Sequence, residues 1–158
     1  MQACFIGHRT IKKDEKLISS LKQTIVNLIN KGVKTFLFGS MSEFDDLSWE
    51  IVTALKAVYP FIKRVYVRAT YPHIDKAYEK YILESYEETY FSPKLKNAGK
   101  YSYVERNYEM IDNSTYCIFY YNENHAALLK QQYKRNSGAK IAYDYALKRN
   151  KTIINLYK

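Results

Sequence analysis

The chain has 158 residues, and 25 Lys and Arg against 16 Asp and Glu give it a formal net charge of +9. This length predicts a single domain over residues 1–158, and because no secretory leader or run of roughly 20 apolar residues is evident, we expect a cytoplasmic protein without a membrane partner. Cys4 and Cys117 lie in apolar runs outside any zinc spacing, so we expect buried thiols and no metal site.

The first half of the chain alternates strands with helices. An apolar run at residues 3–6 predicts a buried strand, and apolar residues at helical spacing predict a helix over 14–30 that ends at Gly32. A second apolar run at 35–38 predicts another strand, and a helix follows over 43–58.

The middle of the chain continues this alternation. The run at 64–69 predicts a third strand, and a helix is predicted over 74–86. Residues 92–100 have the composition of a loop, and 103–111 that of a short helix.

The last part predicts a strand at 115–121, a helix over 138–149 and a strand at 152–156. The strand runs are continuously apolar rather than alternating, and helices separate them. This pattern indicates a mostly parallel sheet with helices on both faces. The predicted fold is an α/β, doubly wound Rossmann-like domain.

Two predicted strands end in residues suited to an anionic ligand. Open parallel sheets bind ligands outside the carboxyl ends of their strands. The first strand runs into Gly7, His8 and Arg9, and the second into Gly39 and Ser40. A glycine lets a ligand approach the backbone, and the planar Arg9 fork suits a phosphate. His8 fits a general base and a capping or core-edge histidine equally well.

Two helix starts carry further candidates. Ser137 and Gly138 precede the last predicted helix, whose first N–H groups suit a phosphate, although the same pair fits a simple turn and N-cap. Glu43, Asp45 and Asp46 open the second helix. Such carboxylates complement the helix dipole, or one of them faces a cleft as a ribose ligand or general acid or base.

A third cluster is the pair Arg106 and Asn107 on the fourth predicted helix. A guanidinium beside an amide suits phosphate and base-edge contacts, and the pair equally fits an exposed helix surface. Tyr71, Tyr103 and Tyr121 are candidates for stacking on a base.

Four segments, in this order along nearly the whole chain, resemble the YpsA-like branch of the SLOG superfamily: CFIGHR, FGSMSEFD, YVERNYEMIDNSTYCIFYY and SGAKIAYDYALKRNKTIINLY. That superfamily also contains the LONELY GUY cytokinin-activating enzymes and the DprA-type Rossmann domains. The resemblance implies a bacterial or phage protein, often a homo-oligomer, whose strand-end loops bind a nucleotide-derived molecule. The positions that match ligand-binding motifs are Gly7, His8, Arg9, Gly39, Ser40, Asp45, Arg106, Asn107, Ser137, Gly138, Ala139 and Lys140.

The chain departs from the family pattern at three places. GSMSEFD stands where branch members have a GGALGFD-like loop, so Ser40 and Glu43 replace glycines. SGAK replaces a GGT-like turn, and the PGGxGTxxE motif that carries glycosidase activity in LONELY GUY enzymes is absent, with no glutamate in residues 137–143. Backbone N–H donors are present whatever the side chain, so these substitutions retain them. A catalytic carboxylate is lost when its residue is replaced.

Three functions follow from these observations, and none needs a metal or further cofactor. The first, favoured by the missing glycosidase motif, is a protein that senses or sequesters a nucleotide-derived ligand such as an ADP-ribose-type or cyclic nucleotide signal. The second is a phosphoribohydrolase that cleaves the N-glycosidic bond of nucleoside 5′-monophosphates, with Asp45 as the catalytic carboxylate, Asp46 or Glu43 as its substitute and His8 as the acid. The third is a DprA-like nucleic-acid-binding module, which the charge of +9 favours, although scattered lysines also fit an ordinary solvated surface.

Overall fold

The computed structural model describes residues 1–39, 42–96, 99–124 and 137–158. The strands in these residues are β1 (Gln2–Gly7), β2 (Thr35–Phe38), β3 (Lys63–Arg68), β4 (Glu88–Phe91), β5 (Tyr116–Tyr120) and β6 (Thr152–Asn155). The helices there are α1 (Glu15–Asn30), α2 (Glu43–Leu55), α3 (Lys76–Leu83), α4 (Lys100–Asp112) and α5 (Gly138–Lys148).

The strands form one sheet in the order β4-β3-β2-β1-β5-β6, and all neighbouring pairs are parallel. The chain steps outward from β1 to β4 and then returns to add β5 on the other side of β1. The order therefore reverses between β1 and β5, which is the switch point where doubly wound sheets bind ligands. The predicted Rossmann-like architecture is confirmed.

Helices cover both faces of the sheet, which explains the continuously apolar strands. In β1, Ala3 and Phe5 pack with α1 and α2 on one face, while Cys4 and Ile6 pack with α4 and α5 on the other. Gly32 follows α1 with a φ of +106°, the left-handed conformation that glycine adopts without strain.

The edge strand β4 is missing from the sequence prediction. Its sequence ETYF buries no residue fully, because one side of an edge strand has no neighbour. The two helices before β4 are shorter than predicted, since α2 ends at Leu55 rather than 58 and α3 at Leu83 rather than 86. Helix α4 is longer than the predicted 103–111, because it spans Lys100–Asp112. Residues 92–96 of the predicted loop precede α4 without a regular element.

Cys4 and Cys117 are register partners on β1 and β5, and both are free, buried thiols, as predicted. Burial raises the pKa of the Cys4 thiol well above its ordinary value. Within the described ranges, no helix is long and apolar enough to cross a membrane.

Candidate functional site

His8 joins the carboxyl ends of β1 and β5 at the switch point. Its side chain is buried, and its Nε2 atom accepts a hydrogen bond of 2.8 Å from the Asn122 N–H. An accepting Nε2 carries no proton, so the imidazole is neutral with its proton on Nδ1. The His8 N–H also donates to the Tyr120 carbonyl at 3.2 Å. His8 is therefore a histidine at the edge of the core, one of the interpretations that its sequence position offered. A role for His8 as a general base stays a prediction.

Gly7 is required for packing at the end of β1. A Cβ atom at this position would lie 2.6 Å from the Phe44 side chain, which is fully buried. The space beside Gly7 therefore holds an aromatic ring of α2, where the sequence analysis expected the approach of a ligand. Phe44 also stacks on Tyr120, with 5.8 Å between ring centroids.

Arg9 presents its side chain at the same edge. The residue is exposed, and among the described residues its guanidinium has no hydrogen-bond or ion-pair partner. Its backbone is held in place, because the Glu43 N–H donates to the Arg9 carbonyl at 2.9 Å and the Glu43 carboxylate accepts from the Ile11 N–H at 3.2 Å. Glu43 thus fixes the loop after β1 against the start of α2.

Gly39, Asp45 and Arg106 form a second group at the ends of β2 and β3. The buried Asp45 carboxylate accepts a hydrogen bond from the Gly39 N–H at 2.9 Å, and Arg106 Nη1 donates to the Gly39 carbonyl at 2.8 Å. A Cβ atom at Gly39 would lie 2.6 Å from the Arg106 guanidinium carbon, so glycine is required here as well. Asp46, one residue along α2, is exposed.

Arg106 links three elements at this edge. Besides Gly39, it donates to the Val67 carbonyl at the end of β3 at 3.3 Å, and to the Asn107 side chain at 3.0 Å. Burial lowers the pKa of the guanidinium, and the nearby Asp45 charge opposes that shift. The predicted pair is therefore not an exposed helix surface; Asn107 orients the buried arginine, and the two hold the ends of β2 and β3 to α4.

Helix α5 begins at the other side of the switch point. Ser137 caps it, because its hydroxyl accepts a hydrogen bond from the Lys140 N–H at 3.1 Å. Ala139 packs into the core, while Lys140 pairs with Asp144 at 2.6 Å on the surface. Gly138 is exposed, and the first N–H groups of the helix are directed out of its end.

An open cleft of about 460 Å³ lies beside the carboxyl end of β5. Three lysines contribute to its walls, together with the rings of Tyr120 and Tyr157. These lysines are Lys12, Lys16 and Lys158. Asp14 also lines the cleft, which therefore places three lysines, one acidic side chain and aromatic surface next to the switch point.

Arg68, the last residue of β3, was not predicted from the sequence as a site residue. Its side chain is buried, and it donates from Nε to the Tyr71 carbonyl at 3.2 Å and from Nη1 to the Thr89 hydroxyl at 3.0 Å. The signal in the sequence was an arginine at the end of an otherwise apolar strand, followed by Tyr71 and a proline.

The predicted residues fall into two groups along one edge. Gly7, His8 and Arg9 follow β1 at the switch point, and Tyr121, which lies 5.7 Å from the His8 ring, packs on Tyr143 of α5 at 4.8 Å. The second group, Gly39, Asp45, Arg106 and Asn107, lies toward β3. Ser40 is outside the described residues.

A family model described as the YspA SLOG family, named YpsA, matches residues 7–153 of the chain. Among curated proteins, no sequence matches it.

The fold is similar to that of DNA processing protein A from Helicobacter pylori, whose structure was described together with a single-stranded DNA binding mode. The TM-score is 0.60 at 16% sequence identity, and the similarity covers 97% of this chain. The chain spans 63% of the length of that protein chain. At this identity the likeness concerns the fold alone.

Proposed function

Because the chain belongs to the YspA SLOG family, we propose that the carboxyl edge of its sheet binds a nucleotide-derived ligand and holds it intact. The observation that carries this proposal is Arg9, an exposed guanidinium at the switch point with no partner in the described part of the chain. A planar guanidinium binds a phosphate with two parallel hydrogen bonds.

The surroundings of Arg9 support an anionic ligand with an aromatic part. The lysine-lined cleft raises the local positive potential, which increases the concentration and association rate of anions. The first N–H groups of α5, at Gly138 and Ala139, add donors that do not depend on side chains. An ADP-ribose-type or cyclic nucleotide signal fits this combination of phosphate and base.

Replacing Arg9 by Ala tests the proposal. We expect the affinity for ADP-ribose or a cyclic dinucleotide to fall by about 1.5–3 kcal/mol, because a charge-assisted hydrogen bond is lost. Lys22→Ala is the matched control, since it removes an exposed positive charge from α1. Isothermal titration of both variants measures the difference, and equal affinity in the two would make Arg9 a structural residue.

The glycosidase remains an alternative, with Asp45 as its carboxylate. The placement of Asp45 gives it a structural task, because its buried carboxylate accepts the Gly39 N–H and its own N–H donates to Ser42 at 3.0 Å. An attacking water would have to reach this carboxylate while the Gly39 hydrogen bond is kept.

Asp45→Asn tests this alternative. The amide oxygen of Asn still accepts the Gly39 hydrogen bond, so we expect the fold and the ligand affinity to persist, with a lower stability because buried Arg106 loses a nearby negative charge. If the protein is a phosphoribohydrolase that uses Asp45, release of free base from nucleoside 5′-monophosphates is lost in this variant, as mass-resolved product analysis would reveal. Turnover that survives the substitution removes Asp45 from the mechanism.

A single-stranded nucleic acid is the second candidate ligand. The net charge of +9 and the likeness to a DNA-binding protein favour it. Such binding releases counterions from the phosphates, so the logarithm of the affinity for an oligonucleotide falls linearly with the logarithm of the salt concentration. Oligonucleotide binding that does not respond to salt would exclude this candidate.

A further inference from the structure

Arg68 and Arg106 bring two buried guanidinium groups to the carboxyl end of β3. Both residues are less than 10% exposed, Arg68 at 7% and Arg106 at 4%. Arg68 is the last residue of the strand, and Arg106 reaches the carbonyl of Val67, the residue before it. Two buried cations at one strand end are costly unless their charge is balanced.

The chain balances this charge only in part. Every Asp and Glu of the sequence lies within the described residues, and neither guanidinium forms an ion pair with any of them. Asp45 acts on Arg106 through its field, whereas the hydrogen-bond acceptors of Arg68, at Tyr71 and Thr89, are neutral. An anion from outside would complete the site.

Both guanidinium groups keep a donor that is open to such an anion. Their Nε and Nη1 atoms are bonded within the protein, and their Nη2 atoms have no partner among the described residues. No fully buried side-chain nitrogen in these residues lacks a hydrogen-bond partner, so neither Nη2 atom is completely buried.

The hydroxyl of Tyr66, in the same strand, lies near both arginines. Burial raises the pKa of this hydroxyl, and the charges of Arg106 and Arg68 oppose the increase. Tyr103 packs beneath Arg106, with 5.7 Å between its ring centroid and the guanidinium carbon. Arg106 thus reaches the carboxyl end of β3, where Arg68 is the last residue, and Tyr66 interacts electrostatically with both.

An exposed aromatic residue follows Arg68 in the chain. Tyr71 is 64% exposed and has a φ of +59°, a left-handed conformation that costs about 1–2 kcal/mol in a residue other than glycine. Arg68 holds it there through the Tyr71 carbonyl. Strained residues persist where surrounding contacts fix them, and they cluster at binding sites.

We propose that Arg68 and Arg106 bind a second phosphoryl group of the ligand, and that the Tyr71 ring stacks on the base next to it. The inference rests on the proposed function and names the ligand class more narrowly. The Arg9 loop follows β1 and Arg68 ends β3, two strand spacings or about 10 Å away. We expect the ligand to carry two separate phosphoryl groups, as in a linear or cyclic dinucleotide or a short single strand.

The test compares the affinities of four probes: AMP, linear pApA, cyclic di-AMP and a twelve-residue oligothymidine. The wild type is titrated beside Arg68→Gln, which removes the charge, and Arg68→Lys, which keeps it. We expect Arg68→Gln to weaken the tightest of the two-phosphate probes by about ten-fold or more and AMP by less than about two-fold, with Arg68→Lys between. The tightest probe identifies the source of the phosphates.

Tyr71→Gly separates a binding role from a structural one. Glycine relieves the left-handed backbone, so we expect a higher Tm together with weaker binding of the two-phosphate probe. Phe61→Ala, which removes an exposed ring before the start of β3, is expected to leave that affinity unchanged. Equal affinity of wild type and Arg68→Gln for every two-phosphate probe would overturn the inference while leaving the proposed function intact.

Failure of the proposed function has a separate signature. If the wild type binds none of the nucleotides, inorganic pyrophosphate alone still tests the two arginines. A Tm increase with pyrophosphate that disappears in Arg68→Gln and persists in Arg9→Ala supports the anion site at β3. No increase, or one that Arg68→Gln retains, overturns it.

Discussion

Replacing Arg106 by Ala is expected to lower the free energy of unfolding by roughly 3–5 kcal/mol, the loss typical of a broken buried charged network. The Gly39 and Val67 carbonyls lose their charged donor, and the Asn107 side chain loses its partner. The Asp45 carboxylate also stays buried without the nearby positive charge. Urea unfolding followed by circular dichroism measures the change.

Arg149→Ala is the control for this effect. Arg149 pairs with Asp112 at 2.9 Å on the surface, where an ion pair contributes about 1 kcal/mol or less. Arg106→Lys is expected to be nearly as harmful as Arg106→Ala, because an ammonium group cannot span the acceptors that the planar fork reaches. A loss for Arg106→Ala no larger than that for Arg149→Ala would contradict the structural role of Arg106.

The Phe44 ring is expected to be the second large contributor, with a loss of roughly 3–5 kcal/mol in Phe44→Ala. Phe44 of α2 is fully buried in the core on this face of the sheet, stacks on Tyr120, and meets Phe5 edge-on at 6.4 Å. Gly7→Ala is expected to cost about 1–3 kcal/mol, since the new Cβ overlaps this ring.

A double-mutant cycle checks that the two effects share one cause. In the Phe44→Ala background the space beside Gly7 is empty, so Gly7→Ala is expected to cost close to nothing there. Thermal or urea unfolding of the four proteins gives the coupling. If Gly7→Ala is equally harmful in both backgrounds, the glycine serves the backbone conformation rather than the Phe44 contact.

Much of the fold could be predicted because hydrophobic periodicity depends on local sequence. The strands β1, β2, β3 and β5 bury apolar residues, β6 carries the apolar pair Ile153 and Ile154, and the helices between them have helical spacing. Strand β4 could not be predicted in the same way. Its half-buried sequence pairs with β3 alone, and that pairing is a tertiary contact.

The residues of the candidate site could also be predicted only where local sequence determines their position. Gly7 and Gly39 were predicted as site residues because they follow the carboxyl ends of strands. Each position requires glycine, however, because a side chain from a distant segment occupies the space beside it. Arg106 reaches Gly39 across 67 positions of sequence, and no spacing rule reveals such a contact. Arg68 was missed because its burial depends on Thr89 in the unpredicted strand.

The measurement that tests the central claim most directly is incubation of the purified protein with nucleoside monophosphates, NAD, ADP-ribose and linear and cyclic dinucleotides. Thermal stability and the mass-resolved fate of each compound are followed together. We expect at least one compound to raise the Tm and to be recovered intact after denaturation, with the increase lost in Arg9→Ala. Disappearance of a compound with release of free base, or no stabilisation by any of them, would contradict it.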